Sequence, residues 1–91
     1  MSFQVRDNPA HDRYEMDVDG GTAVANYRAD DKVVTVFHTE VPAALRGRGL
    51  GDHLVKGTLD LIRASGRKVN PRCGFVAIYI RRHPEYHDLL A

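Results

Sequence analysis

A short loop rich in glycine and arginine carries the strongest chemical signal in this chain. Positions 46–51 read Arg-Gly-Arg-Gly-Leu-Gly, and a helical pattern begins directly behind them. Glycine permits positive φ and close backbone approach, and the first N–H groups of a helix have no intrahelical partner and favour negative charge. Arg46 and Arg48 can add bidentate hydrogen bonds to phosphate oxygens. The loop predicts an anion site, most simply for a phosphate; the alternative is a helix-capping turn with solvated arginines.

The spacing of the loop distinguishes it from two other phosphate-binding loops. It lacks the Gly-Lys-Ser/Thr ending of a Walker loop, and it does not follow the Gly-x-Gly-x-x-Gly dinucleotide pattern. It does follow Arg-x-x-Gly-x-Gly, through Arg46, Gly49 and Gly51. In this it resembles the pyrophosphate-binding motif of the GNAT superfamily, the acyl-CoA-dependent N-acetyltransferases.

The first half of the chain alternates between apolar and polar residues, which predicts strands joined by hairpin turns. Strands are expected at 3–6, 13–18, 22–28 and 33–41. The last of them is the longest and richest in β-branched residues, so we expect it at the centre of the sheet. Asp7-Asn8-Pro9 is expected to form the turn that ends the first strand.

The second half carries helical periodicity. A helix is expected from the end of the glycine loop to Ser65, with Gly66 as its C-terminal cap. A short strand at 68–71 and a second helix at 74–82, with Phe75 inside, follow before a last turn that begins at Pro84. The order predicts an α/β (α+β) fold in one domain over 1–91, with a mostly antiparallel, twisted sheet of about five strands and two main helices.

Composition narrows the function classes. The formal net charge of +1 argues against a general polyanion binder, and no apolar run approaches the ~20 residues that span a bilayer. Residues 1–4 have no signal-peptide pattern, and the single Cys73 suits a reducing compartment. We therefore expect a cytoplasmic protein without a membrane partner.

Four motifs in order extend the resemblance across residues 33–87. They are His-Thr-Glu-Val-Pro at 38–42, the glycine loop at 46–51, Pro-Arg-Cys at 71–73 and His-Pro-Glu-Tyr at 83–86. This set is similar to that of a subgroup of small GNAT-like proteins. The resemblance implies a minimal GNAT fold, acetyl-CoA as cosubstrate and transfer of its acetyl group to an unidentified amine. It also implies a gap between the fourth and fifth strands, in which the pantetheine arm lies.

The resemblance also assigns residues to the coenzyme. Backbone groups near Thr39 and Val41 would hold the pantetheine and the thioester, the loop would hold the diphosphate, and side chains of the last helix would line the pocket. The full set expected to bind acetyl-CoA is Thr39, Val41, Arg46, Gly47, Arg48, Gly49, Leu50, Gly51, Cys73 and Tyr79.

The chain departs from full-size members of the family at three places. Only residues 8–11 stand where one or two helices usually wall the acceptor site, so that side should be shallow or completed by a partner. Cys73 replaces the usual asparagine that opens the last helix. The usual general-acid tyrosine falls at Ile80, with Tyr79 beside it, so tyrosine-assisted transfer is not expected.

Three side chains are the candidates for catalysis. Glu40 is positioned to take a proton from the amine, directly or through a water, and His38 lies two residues earlier on the same strand face. The alternative for both is a solvated polar face. Cys73, beside Arg72 and near a helix N-terminus, should have a lowered thiol pKa. It either accepts the acyl group or, as we favour, lines the acyl pocket; a small buried residue is the alternative.

The sequence also allows other kinds of site and function to be considered. His83 and His87 lie four apart, but no cysteine or carboxylate cluster completes a tetrahedral set, so no metal is expected. A CoA-binding sensor or scaffold without turnover is the main alternative function. A third is a small nucleic-acid-binding domain that uses the basic second half, which is disfavoured because no stacking platform accompanies the charges. The sequence is compatible with a small amine, a peptide N-terminus or a protein lysine as acceptor, and an uncovered acceptor side favours the larger ones. It is also compatible with a homo-oligomer.

Overall fold

Five strands form one mixed sheet in the computed structural model, which describes residues 3–45 and 47–91. The strands are β1 (Val5–Asn8), β2 (Arg13–Val18), β3 (Gly21–Ala29), β4 (Val33–Glu40) and β5 (Lys68–Pro71). They lie in the order β1-β2-β3-β4-β5, with antiparallel pairing throughout except for the parallel pair β4–β5. The predicted α+β class and the mostly antiparallel sheet of about five strands are confirmed.

Two helices complete the fold, and both follow the predicted positions closely. They are α1 (Leu50–Ala64) and α2 (Gly74–Arg82), with short 3₁₀ turns at Pro9–His11, Ala43–Leu45 and Pro84–Leu89. The apolar stripe of α1 is buried at Leu54, Leu59 and Ile62, which the 3.6-residue period places on one side of the helix. No helix in the described part of the chain is long and apolar enough to cross a membrane.

The two faces of the sheet differ in character. The face that holds the core carries buried apolar side chains from neighbouring strands, such as Met16, Ala23 and Val36, and α1 contacts all five strands. On the opposite face the Glu15 carboxylate receives hydrogen bonds from Arg6 and Arg13 at 3.0 and 2.5 Å. Because that face is polar, both helices can be accommodated on the other one.

Three expectations are wrong. The strand expected at the centre of the sheet, β4, lies next to the edge strand β5, and β3 occupies the centre because two strands lie on each side of it. The first strand begins at Val5 and continues to Asn8, because Asp7 and Asn8 pair with β2 instead of forming a turn. Phe75 is 46% exposed rather than inside, because the buried side of α2 is formed by Val76, Tyr79 and Ile80.

The strands β4 and β5 part after a short ladder. Their pairing runs from Val33 with Lys68 to Val36 with Pro71, whereas β4 continues to Glu40. Proline has no N–H to extend the ladder, and the next two amides, of Arg72 and Cys73, both donate to the Val36 carbonyl as the chain turns into α2. The last four residues of β4 therefore border a gap on the β5 side.

A close approach between β1 and α1 makes Gly57 a sensitive position. A Cβ added to Gly57 would overlap the side chain of Val5. Alanine normally favours a helix by about 1 kcal/mol over glycine, but overpacking costs about 1–3 kcal/mol. We expect Gly57→Ala to lower the free energy of unfolding in urea titrations. The double variant with Val5→Ala should show favourable coupling between the two sites; additive effects would contradict this packing.

Candidate functional site

A cavity of about 450 Å³ lies at the N-terminal end of α1, beside the gap between β4 and β5. It is bordered by the end of β4, by the turn before the helix, by the first turn of α1 and by α2. The lining residues are Thr39, Glu40, Val41, Leu45, Gly47, Gly49, Leu50, Gly51, Asp52 and Phe75. The structure thus brings together six of the residues that the sequence assigned to the coenzyme.

The glycine loop has the backbone conformation that its sequence suggested. Gly47 and Gly49 lie in the left-handed region, with φ of +84° and +74°, and a Cβ at either position would meet no heavy atom of the described residues within 4 Å. Gly49 is the N-cap of α1 and supplies no capping side chain. The first N–H groups of α1 therefore face the cavity without a side-chain acceptor from the cap, at the positive end of the helix dipole.

The two arginines of the loop are placed differently from its glycines. Arg48 is exposed and is not among the residues that line the cavity. The prediction for Arg46 falls outside the described residues. Leu50, by contrast, is buried and fixes the start of α1 against the core.

The two polar candidates on β4 share one face of the sheet. Glu40 pairs with Val24 and His38 pairs with Asn26, so the side chains of Glu40 and His38 lie on the same face of the sheet. Both are exposed, and Glu40 lines the cavity whereas His38 does not. A register shift between Asn26 and Tyr27 marks a β-bulge in this pairing, which the alternating pattern did not predict. Because of the bulge, the side chain of Thr39 rather than that of His38 lies on the core side of β4, where Thr39 pairs with the buried Ala25.

Cys73 lies at the edge of the gap, just behind the cavity wall. It is the N-cap of α2, and its Sγ lies 3.5 Å from Oγ1 of Thr39. Burial opposes ionisation of this thiol. Hydrogen bonds from the Thr39 hydroxyl and from the backbone amides of Val76, Phe75 and Thr39 outweigh that effect and lower the pKa of Cys73.

This arrangement makes a prediction about thiol reactivity. Because the pKa is lowered in the folded protein, alkylation of Cys73 by iodoacetamide should reach half its maximal rate at a lower pH than for an ordinary cysteine. Thr39→Val removes one of the hydrogen bonds and should raise that midpoint. Thr35→Val, on the same strand, is the matched control and should leave it unchanged. An unaltered midpoint in Thr39→Val would contradict the assignment.

The His-Pro-Glu-Tyr segment stabilises the fold around the site. The His83 ring stacks on Tyr79 at 3.8 Å between centroids, and the Tyr86 hydroxyl donates to Asp60 on α1 at 2.7 Å. Burial and that carboxylate raise the pKa of Tyr86 to about 12. Tyr79 is buried and lines a neighbouring, smaller cavity rather than the main one, and Ile80 is fully enclosed by the core.

Sequence reasoning missed three residues of the cavity wall. Leu45, Asp52 and Phe75 line it. Of these, only Asp52 could have been found from the sequence, because its place in the first turn of α1 puts it beside the glycine loop. Phe75 packs so closely that a Cβ at Gly51 would lie 2.8 Å from its ring. Among the described residues no group of three or more His, Cys, Asp or Glu side chains could hold a metal ion.

Comparisons with known proteins agree with the geometry. A family model described as GCN5-related N-acetyl-transferase matches residues 13–89. Protein NATD1 of Mus musculus is 36% identical over 83 residues, covering 90% of this chain and 67% of the relative. Protein NATD1 of Homo sapiens is 36% identical with coverage of 90% and 66%, and that of Danio rerio is 32% identical over 87 residues with coverage of 92% and 71%.

The family match begins at β2 and ends within the last turn, so it includes the cavity, the glycine loop and the gap between β4 and β5. The relatives are similar over 83 or 87 residues, about nine-tenths of the chain. The chain belongs to the GCN5-related N-acetyltransferase family.

Proposed function

We propose that this protein binds acetyl-CoA and transfers the acetyl group to an amine. The observation that carries the proposal is the cavity at the N-terminus of α1, bordered by Gly47, Gly49 and Gly51, which opens beside the parted strands β4 and β5. Its wall combines the first turn of α1, which suits an anion, with residues 39–41, which border the gap where an extended arm would lie. Those are the two features that a diphosphate joined to a long pantetheine arm requires.

The diphosphate is assigned to the glycine loop. Backbone amides at 47–51 would donate to its oxygens, and the dipole of α1 would favour its charge. Arg48 is close in sequence and exposed, so its guanidinium would add charge from the solvent side. We assign Arg46 to the diphosphate on its charge and its place in the motif alone.

The pantetheine arm and the thioester are assigned to the gap. Residues Thr39 and Val41 border it, and the Thr39 backbone is among the groups that lower the pKa of the Cys73 thiol. A thioester carbonyl that entered there would accept a hydrogen bond from the Thr39 amide, which would polarise the carbonyl. We assign Cys73 to the wall of the acyl pocket rather than to a covalent acetyl carrier, since its thiol is half-buried and engaged with Thr39.

The chemistry needs a proton acceptor beside the thioester. The amine nitrogen forms the new bond to the acetyl carbon, the carbon–sulfur bond breaks, and the coenzyme leaves as its thiolate. Glu40, at the end of β4 and on the cavity wall, would take the proton that the amine loses. His38, on the same strand face, would act as a residue that helps to position the amine beside Glu40.

The acceptor would approach over the uncovered sheet face. His38 and Glu40 are exposed there, and the connection between β1 and β2 is only the short turn Pro9–His11. No helical wall stands on that side in the described residues, so a large acceptor such as a peptide or protein fits better than a small enclosed amine.

A second candidate function is coenzyme binding without turnover. Two observations favour it: the short turn Pro9–His11 in place of an acceptor wall, and the buried Ile80 in place of a general-acid tyrosine. Steady release of thiol from acetyl-CoA in the presence of an amine or peptide panel would exclude it, provided that Glu40→Gln reduces the release.

Titration with acetyl-CoA tests the shared basis of both candidates. Isothermal calorimetry should show saturable binding, and the melting temperature should rise with ligand concentration because ligand binds only the folded state. Failure to bind at about millimolar acetyl-CoA, an affinity of only about 4 kcal/mol, would remove both.

A further inference from the structure

The bulge on β4 turns an aromatic side chain out of the core, next to the proposed proton acceptor. The register pairs His38 with Asn26 and Val36 with Tyr27, so Phe37 is the extra residue of β4. Val36 is buried, whereas Phe37 and His38 are both exposed. A single exposed apolar side chain is ordinary on a protein surface, so the meaning of Phe37 depends on what lies against it.

Arg28 lies against the Phe37 ring, on the uncovered face of the sheet. It follows Val24 and Asn26 at steps of two residues along β3, so these three side chains share the face opposite the buried Ala25. The guanidinium carbon of Arg28 lies 6.0 Å from the centre of the Phe37 ring. Such a contact restrains the guanidinium and leaves its N–H groups free to donate hydrogen bonds.

Arg28 differs from the arginines that β1 and β2 place on the same face, because it has no carboxylate partner. Arg6 is paired with Glu15 and Asp17, and Arg13 is paired with Glu15. Within residues 3–45 and 47–91, Arg28 makes neither a hydrogen bond nor an ion pair. Its charge and its forked donors suit a carboxylate that comes from outside the chain.

The distance from Arg28 to the proposed proton acceptor sets the length of a matching ligand. Glu40 pairs with Val24, which lies four residues before Arg28 on β3. At about 3.3 Å per residue, Glu40 and Arg28 are therefore about 13 Å apart along the sheet. An extended peptide spans this distance in about four residues, and its side chains at that separation point to the same side.

We infer that Arg28, held by Phe37, selects acceptor peptides that carry a carboxylate about four residues from the amine that is acetylated. The inference rests on the proposed function, since it places the amine at Glu40. The peptide carboxylate would accept hydrogen bonds from the Arg28 guanidinium, and the peptide chain would cover the exposed Phe37 ring. Charge complementarity of this kind favours one partner over others more than it raises affinity in general.

Three peptides of equal length, each with one lysine and a blocked N-terminus, test the inference. The first has glutamate four residues to each side of the lysine, the second has glutamine there, and the third has the two glutamates next to the lysine. A second set presents the amine at a free N-terminus, without lysine, and varies the fifth and second residues in the same way. Release of coenzyme A should give a kcat/KM about fivefold to tenfold higher for the first peptide of a set than for the other two, the ratio that one exposed charge-assisted contact supports.

Variants of the protein assign this preference to the side chains. Arg28→Gln should bring the ratio close to one by lowering kcat/KM for the first peptide only, and Arg28→Lys should restore part of it. Phe37→Leu should reduce the preference about twofold to threefold, because it removes the ring that holds the guanidinium. Arg81→Gln is the matched control, since it removes an equal charge from an exposed position on α2, and it should keep the preference.

Each possible result bears on either the selection or the transfer itself. If the wild type uses all the peptides of a set equally, or if Arg28→Gln keeps the preference, the role of Arg28 is wrong while acetyl transfer stands. A third peptide as good as the first, or an equal loss of preference in Arg81→Gln, would mean that general charge attraction explains the effect. If a small amine is acetylated but no peptide is, the peptide selection is wrong; if no acceptor is acetylated, the proposed transfer fails and this inference fails with it.

Discussion

Replacing Gly49 by alanine is expected to weaken acetyl-CoA binding roughly tenfold to a hundredfold, the cost of one or two lost charge-assisted hydrogen bonds. The φ of +74° at this position strains any residue with a Cβ, by about 1–2 kcal/mol. The new methyl group would meet no atom of residues 3–45 and 47–91 within 4 Å, so it would project into the open space where we place the diphosphate. Calorimetric titration of the variant measures the loss directly.

A second glycine in the same conformation serves as the control. Gly66 lies behind the opposite end of α1, with φ of +78° and an equally open Cβ position. Gly66→Ala should lower the melting temperature by a similar amount and leave the affinity for acetyl-CoA unchanged. If both variants lose affinity equally, strain in the helix rather than contact with the ligand explains the effect.

The second large effect is expected on catalysis. Glu40→Gln keeps the shape of the side chain but removes the carboxylate that would accept the proton of the amine, so kcat should fall by about a hundredfold to ten-thousandfold. The affinity for acetyl-CoA should stay within about twofold, since the substitution leaves the loop and the gap intact. Steady-state release of coenzyme A, followed with a thiol reagent against an amine or peptide acceptor, gives kcat.

Glu85→Gln provides the matched control, because Glu85 is an exposed carboxylate on the last turn and lines neither cavity. It should leave kcat unchanged. Full turnover in Glu40→Gln would remove Glu40 from the mechanism. Intact-mass analysis after incubation with acetyl-CoA tests whether an acetyl-cysteine forms. We expect the wild-type protein to gain no acetyl group, and Cys73→Ala serves as the reference that cannot gain one at this position.

Much of the fold follows from the sequence because its local signals agree with one another. The bounds of β2, β5 and α2 follow directly from alternation, from the turn at Gly66 and from Pro84, since each is set by neighbours in the chain. The family resemblance also predicts that β4 and β5 are neighbours and that they part before β4 ends. The glycines at 47 and 49 have the left-handed backbone that the predicted anion site would require.

The remaining differences come from contacts between distant segments. The extension of β1 to Asn8 depends on pairing with Arg13, and the exposure of Phe75 depends on which side of α2 faces the core. The bulge opposite Asn26 has no marker in the strand pattern, yet it decides that Thr39 rather than His38 meets Cys73. Tyr79 lines the smaller cavity rather than the main one because the packing of α2 against the core sets the direction of its side chain.

The central claim is that the amides of the glycine loop bind the diphosphate of acetyl-CoA. Titration of the ¹⁵N-labelled protein with acetyl-CoA, followed by two-dimensional amide NMR, tests it most directly because each glycine reports separately. We predict that the largest shifts at saturation occur at Gly47, Gly49, Leu50 and Gly51, with Thr39 next and residues of β1 unaffected. Binding that leaves these loop amides unshifted, or that shifts only the polar face around Glu15, would contradict the account.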